Sequence, residues 1–378
     1  MFSFELLDII LFAGISQGVF LGTTLLTVTN RNTAANKILS IVLFIATLML
    51  IGRMIYFRFP NTLLRQIANF ADTVIFLFGP LVYLYFRRLT FKEPQEYKLP
   101  LRHYILALIP ILFFSWNLLY TPKEFRDVLR DYNISLGLVY AIIGGLGIVS
   151  NFYYWFKSFL LVRLYQKEEK NNISYSQYVT YFLYAFLTAV FLMLILWLTS
   201  FVNFNFFGKI VPFISYDMVW VSIPVFVYVV GYYSLKQPEI FRVPLKKIPK
   251  TKKVIVKNRL EGDALLRLKE NLRSLMDQEK VYLDNELTLR GLSEKLQTSP
   301  NNVSWLLNNV YHSTFHDYIN QFRVQEFIQK VEKGEHHAHT LLGLSLDSGF
   351  NSKSTFNKAF KTHMNDTPTS YIKKMSLN

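Results

Sequence analysis

The chain has 378 residues, of which 51% are hydrophobic and 18% charged, and it contains no cysteine. The missing thiols exclude disulfide scaffolds, cysteine nucleophiles, thiolate zinc sites and cysteine-ligated iron–sulfur clusters. The formal charge of +15 is unevenly spread: residues 1–235 carry +7, residues 236–260 carry +8, and residues 261–378 are neutral. Three parts are therefore expected: an apolar domain at 1–235, a basic connector at 236–260 and a mixed polar domain at 261–378.

A membrane-spanning helix needs about 20 mostly apolar residues. Seven runs fit in chain order: Leu6–Val28, Ile38–Phe57, Ile67–Phe86, Tyr104–Tyr120, Ile134–Phe156, Tyr178–Phe201 and Tyr216–Tyr233. One soluble core rarely holds so many in succession, so a seven-helix transmembrane bundle is expected. The positive start of a signal peptide is missing, with Glu5 and Asp8 in its place, so the first run is expected to stay in the mature protein. With the N-terminus outside, the inner loops hold eleven Lys/Arg and the outer loops six. The positive-inside rule then places the connector and the last domain in the cytoplasm, on the inner (cytoplasmic) membrane.

Ionisable groups inside a bilayer are costly and mark function. Arg53, Asp72 and Asp217 all fall toward the outer ends of their runs, as do Glu5, Asp8, Trp116, Asn117 and Trp197. Two readings stay open there: residues at the water interface, or an outward-facing pocket sensing a small-molecule or membrane signal, with Arg53 near Asp72 as a candidate pair. Gly137, Gly144, Gly145 and Gly147 in the fifth run indicate close helix packing.

The connector, Lys236–Leu260, holds nine basic residues and Pro238, Pro244 and Pro249, which favour extended backbone. Its charge suits the positive-inside rule, anionic lipid or DNA phosphates.

The last domain reads as short helices. Ala264–Glu279 carries an apolar stripe through Leu265, Leu268, Leu272 and Leu275. Thr288 caps a short helix with Leu289, Leu292 and Leu296 inward. A turn follows at 297–299, and Ser299 with Pro300 opens a helix running to Tyr311. Val303, Leu306 and Leu307 face in; Asn301, Asn302, Ser304, Trp305 and Asn308 lie on the other face. This is a helix-turn-helix pattern over about 287–312. It repeats over about 339–366: a short helix from Leu341, a turn at Asp347–Phe350 with Gly349 at positive φ, and Ser352 capping Lys353–Met364. Lys353, Ser354, Asn357, Lys358 and Lys361 face outward. Phe315–Val331 reads as a helix joining the two.

The stretch Leu287–Lys374 resembles the AraC-type DNA-binding domain, two helix-turn-helix units on a linker helix. The strongest match is Leu344–Phe360 followed by Thr367-Pro-Thr-Ser-Tyr371, with Tyr318 and Arg323 matching on the linker helix. The layout is similar to membrane-integral AraC-type regulators. The resemblance implies an all-α chain: a transmembrane bundle followed by a cytoplasmic tandem helix-turn-helix reading a two-part site in double-stranded DNA. RNA polymerase and the lipid bilayer are further expected partners, and a homodimer stays open. His312 and Asn365 stand where the family has glycine, and both tolerate left-handed backbone. Phe327 stands where the family has a small residue, which implies local repacking. Trp305 is either a base contact or half-buried scaffold.

Asn301 and Asn302 suit adenine edges, and Lys353 and Lys358 suit guanine or phosphate. Ser352 and the other outward residues complete the expected DNA face. No HExxH, Walker A or G-x-S-x-G motif occurs, so an enzyme and a cofactor are not expected. The tract Glu335-His-His-Ala-His339 falls in a loop that varies in the family, and no metal is assigned to it. The competing reading is a membrane receptor or transporter-like protein whose cytoplasmic helices bind a protein partner.

Overall fold

The computed structural model describes residues 5–27, 33–59, 62–92, 97–117, 119–121, 124, 134–174, 178–207, 215–236, 245–246 and 262–375. Most of the basic connector lies outside the described residues. Two compact units emerge: Met1–Tyr165 with Tyr178–Pro249, and Gln166–Gln177 with Lys250–Asn378.

The first unit is helical: α1 (Leu6–Thr27), α2 (Thr33–Arg58), α3 (Thr62–Thr73), α4 (Ile75–Thr90), α5 (Leu108–Asn117), the first part of α6 (Ile134–Asn172), α7 (Tyr178–Val202) and α8 (Tyr216–Lys236). A two-residue parallel pairing joins β1 (Phe91–Lys92) to β2 (Leu245–Lys246). The unit packs around α2, which touches α1, α3, α4 and α8. Small residues allow the approach. A Cβ on Gly18 would fall 2.2 Å from the Thr47 hydroxyl, and one on Gly14 would fall 2.6 Å from the ring of Pro224. Two glycines of α6 pack closely as expected, since a Cβ on Gly147 would meet Trp197 at 3.1 Å and one on Gly144 would meet Phe201 at 3.2 Å, whereas one on Gly145 would make only ordinary contact at 3.7 Å. The outside of the unit is apolar too, with Phe12, Phe20, Leu112, Val149 and Leu192 exposed.

Among the described residues, six helices are long and apolar enough to cross a membrane, with α3 and α4 forming one of them, Leu63–Thr90. The stretch expected as the fourth span gives only the shorter apolar helix Ile105–Trp116. Pro110 explains the late start of α5. A proline fits the first helical turn, but its ring clashes with the carbonyl four residues earlier. The chain before it forms 3-10 turns at Leu101–His103 and Ile105–Ala107 instead.

The second unit contains α9 (Asp263–Asp277), α10 (Leu289–Lys295), α11 (Pro300–Asn309), α12 (Phe315–Glu332), α13 (Leu341–Asp347), α14 (Lys353–Met364) and α15 (Pro368–Met375). It has two cores. Leu272, Leu292, Leu306, Phe315 and Ile319 centre the first. Val324, Phe327, Leu344, Phe350 and Phe360 centre the second. The middle helix α12 supplies residues to both, so it fixes one helical pair relative to the other. The end of α6 also belongs to this unit. Ile173 bridges to Thr288, and the Ser174 hydroxyl donates to the Leu287 carbonyl at 2.8 Å.

Candidate nucleic-acid interface and cavity

Each helical pair in the second unit is fixed by side-chain caps and left-handed residues. The Thr288 hydroxyl accepts from the Gly291 amide at 3.1 Å, opening α10. Gln297 takes φ 51° in the turn, and the Ser299 hydroxyl accepts from the Asn302 amide at 3.2 Å, with Pro300 as the first residue of α11. In the second pair the Thr340 hydroxyl accepts from Gly343 at 3.0 Å, Gly349 takes φ 92°, and the Ser352 hydroxyl accepts from Thr355 at 3.3 Å. A Cβ at Gly349 would fall 2.4 Å from the Tyr282 carbonyl oxygen, so this turn needs glycine for space as well as for φ. His312 at φ 50° and Asn365 at φ 53° end α11 and α14 as the sequence leads one to expect.

The outer faces differ between pairs. On α14, Lys353, Ser354, Asn357, Lys358 and Lys361 are exposed and Ser352 is half-buried. On α11, Asn301 and Asn308 are exposed, while Asn302 and Ser304 are half-buried. The Asn308 amide donates to the Ser304 carbonyl at 2.8 Å, and the Asn302 amide donates to the Thr298 hydroxyl at 3.0 Å. Both amides are engaged by their own helix or its cap in this state, and Asn301 is the freest polar group on the helix.

Residues 292–374 match a family model described as a helix-turn-helix domain. No curated protein and no solved structure matches the chain. The C-terminal region is a helix-turn-helix domain.

Within the helix-turn-helix domain, Trp305 is half-buried against the first core, and its indole N–H is buried without a partner among the described residues. Of the two roles open to it from sequence, this placement favours scaffold. The His336 and His337 rings lie 4.0 Å apart, and His336 faces the Val331 carbonyl at 3.0 Å. Among the described residues no group of three metal-ligating side chains occurs.

The linker helix of the helix-turn-helix domain opens on a cap that sequence reasoning did not single out. The Thr314 hydroxyl donates to the Asp317 carboxylate at 2.8 Å and accepts from the Asp317 amide at 3.1 Å. The His316 ring beside it, helped by Thr314, holds the Asp317 carboxyl down to about 2 against the pull of burial. A depressed carboxyl stabilises the fold above its unfolded value and loses that contribution as the pH falls through the folded one. Hydrogen-exchange protection at the start of the linker helix, taken relative to the intrinsic exchange rate at each pH, should therefore fall as the pH drops from about 4 to about 2. Asp317→Asn should remove that pH dependence.

The first unit, taken by itself, holds a cavity of about 690 Å³. Helices α2, α3, α4, α6, α7 and α8 all contribute to its wall, and Arg53, Asp72 and Asp217 all line it. The expected pairing is different, however. Arg53 donates to Asp217 at 2.6 Å, not to Asp72. Its guanidinium also lies 3.6 Å from the centre of the Phe57 ring. Asp72 sits on the last turn of α3, just before the break at Val74, and influences Arg53 only through space. Trp197 lines the cavity as expected. Glu5 and Asp8 do not: they pair with Arg58, which donates to Asp8 at 2.8 Å. Trp116 is exposed and donates to Tyr120, outside the cavity. Asn151 and Ser200 line the cavity and were not singled out by sequence, although amides and hydroxyls inside apolar runs carry the same signal as charges.

Proposed function

We propose that this protein is a membrane-bound transcriptional regulator. In this reading the part at 1–235 is a transmembrane sensor, 236–260 a basic linker and 261–378 the DNA reader. The observation that carries it is the pair of capped, repeated helical units within a region matching a helix-turn-helix domain. The α14 face would meet one major groove through Lys353, Ser354, Asn357, Lys358 and Lys361, with the Ser352 end toward phosphate. The α11 face would meet the next through Asn301 and Ser304, with Asn302 and Asn308 following once their amides are released. Two such faces in one chain suit half-sites about one helical turn, roughly 34 Å, apart. RNA polymerase would be the downstream partner. Arg53, Asp72 and Asp217 would sense the signal.

The topology follows the same logic. An N-terminus outside and a cytoplasmic reader require an odd number of crossings. The stretch around Ile105–Trp116 would add the seventh to the six long helices. Because the chain has no cysteine, single cysteines placed in successive loops give an unambiguous labelling pattern. Protection of a cysteine replacing Ser376 from an impermeant reagent in intact cells is expected; labelling there would overturn this topology.

The functional test is selection of duplexes from a random pool by the full chain in lipid nanodiscs at two salt concentrations. Enrichment of a two-part motif is expected. Lys353→Ala and Lys358→Ala should each reduce the salt slope of binding by about 1, because each phosphate contact releases about one counterion. Absence of any duplex binding would overturn the reading and return a protein partner as the occupant of these helices.

A further inference from the structure

We propose that the cavity of the first unit binds a small amphipathic amine, a protonated ammonium on an apolar body. The consequence for signalling rests on the sensory reading above; the binding itself does not.

Charge balance comes first. The polar corner of the cavity holds one guanidinium and two carboxylates, Arg53, Asp72 and Asp217. Arg53 is already committed to Asp217 at 2.6 Å and to the face of Phe57 at 3.6 Å. Asp72 has no hydrogen bond or ion pair among the described residues. Asp72 is exposed, so its carboxylate is open to an incoming ion, and an unmatched carboxylate on a largely apolar wall favours a cation over an anion. An anion would meet two carboxylates against a single guanidinium.

Hydrogen-bonding capacity points the same way. Asn151 and Ser200 line the cavity and are only 3% and 2% exposed, yet Asn151 Oδ1 and Ser200 Oγ have no hydrogen-bond partner among the described residues. The Asn151 amide nitrogen donates to Ile75 at 3.1 Å and Gly147 at 2.9 Å, which spends both its N–H groups. What remains on Asn151 can only accept. An ammonium carries three donors and no acceptor, which suits the Asp72 carboxylate and the Asn151 oxygen. Trp197 and Trp220 supply aromatic faces for the cation and for an apolar body. About 690 Å³ is room for a drug-sized molecule.

The test uses the full chain in nanodiscs, with empty nanodiscs to subtract lipid partitioning. The probes are phenylbutylammonium, its neutral alcohol and its carboxylate, titrated against tryptophan fluorescence. The ammonium should bind at least tenfold tighter than either analogue, and Asp72→Asn should erase that preference while leaving weak binding of the alcohol. The charge series on the unmodified chain needs no variant to fold. Equal binding of all three probes, or tighter binding of the carboxylate, would overturn the amine assignment. So would an ammonium preference unchanged by Asp72→Asn. Tight ammonium binding that leaves duplex affinity unaltered would support the site and overturn the sensory reading instead.

Discussion

Replacing Arg323 by Met should destabilise the second unit by about 3–5 kcal/mol, because it leaves several buried carbonyls without donors. Arg323 is fully buried in the middle of the linker helix. Its guanidinium donates to the Tyr282 carbonyl at 2.7 Å, the Asp284 carbonyl at 2.6 Å and the Asn320 side chain at 3.2 Å. It also donates to the Ser174 carbonyl at 3.2 Å and the Ser174 hydroxyl at 3.1 Å. All these acceptors are neutral, and burial pushes the Arg323 guanidinium down to about 10, which keeps it charged at neutral pH. One planar fork thus fastens three chain segments: the end of α6, the turn before α10, and the linker helix. The Gly349 turn packs against the same group, since a Cβ there would fall 3.0 Å from Arg323 Nε. Arg323→Lys should recover only part of the loss, because a single ammonium cannot reproduce the fork. Ser174→Ala should cost about 1–2 kcal/mol, since its backbone carbonyl remains as an acceptor. Hydrogen exchange across the second unit of the full chain would read all three variants. A loss below about 1 kcal/mol for Arg323→Met would mean that the fork is not the fastening.

Much of the second unit was legible from sequence because its signals are local. A cap needs a hydroxyl one position before a helix, and a left-handed end needs glycine, asparagine or a similar residue. Ser299, Ser352, His312, Gly349 and Asn365 each announce themselves within a few residues. The Ser174 contact does not. It joins residues 149 apart, and nothing near Ser174 distinguishes it from a solvated loop serine. The same limit governs the cavity. Arg53, Asp72 and Asp217 stood out because charges are rare in apolar runs, but their pairing depended on helix order in space. Asp72 is nearer in sequence, yet the ion pair forms with Asp217, 164 positions away. The fourth run forms a shorter helix than expected for another reason. Composition over Tyr104–Tyr120 is apolar enough, but composition says nothing of where a helix can begin, and Pro110 decides that.

Phe327→Ala should cost about 3–5 kcal/mol, the range for deleting a fully buried aromatic ring. The effect should be confined to the second helical pair. Phe327 is 0% exposed and packs edge and face against Phe356 at 4.6 Å and Phe360 at 5.8 Å. Both partners lie on α14, so the ring sets the height of that helix above the linker helix. A large residue here, where the resemblance implies a small one, is accommodated by this three-ring cluster. The first pair has its own core around Leu292, Leu306 and Ile319, and Phe327 contributes nothing to it. Hydrogen-exchange protection should therefore fall over α13 and α14 and persist over α10 and α11. Duplex binding should lose the half of the selected motif read by α14 while the other half survives. Equal loss of protection in both pairs would mean that the linker helix couples the two cores into a single cooperative unit. The two half-sites would then be lost together.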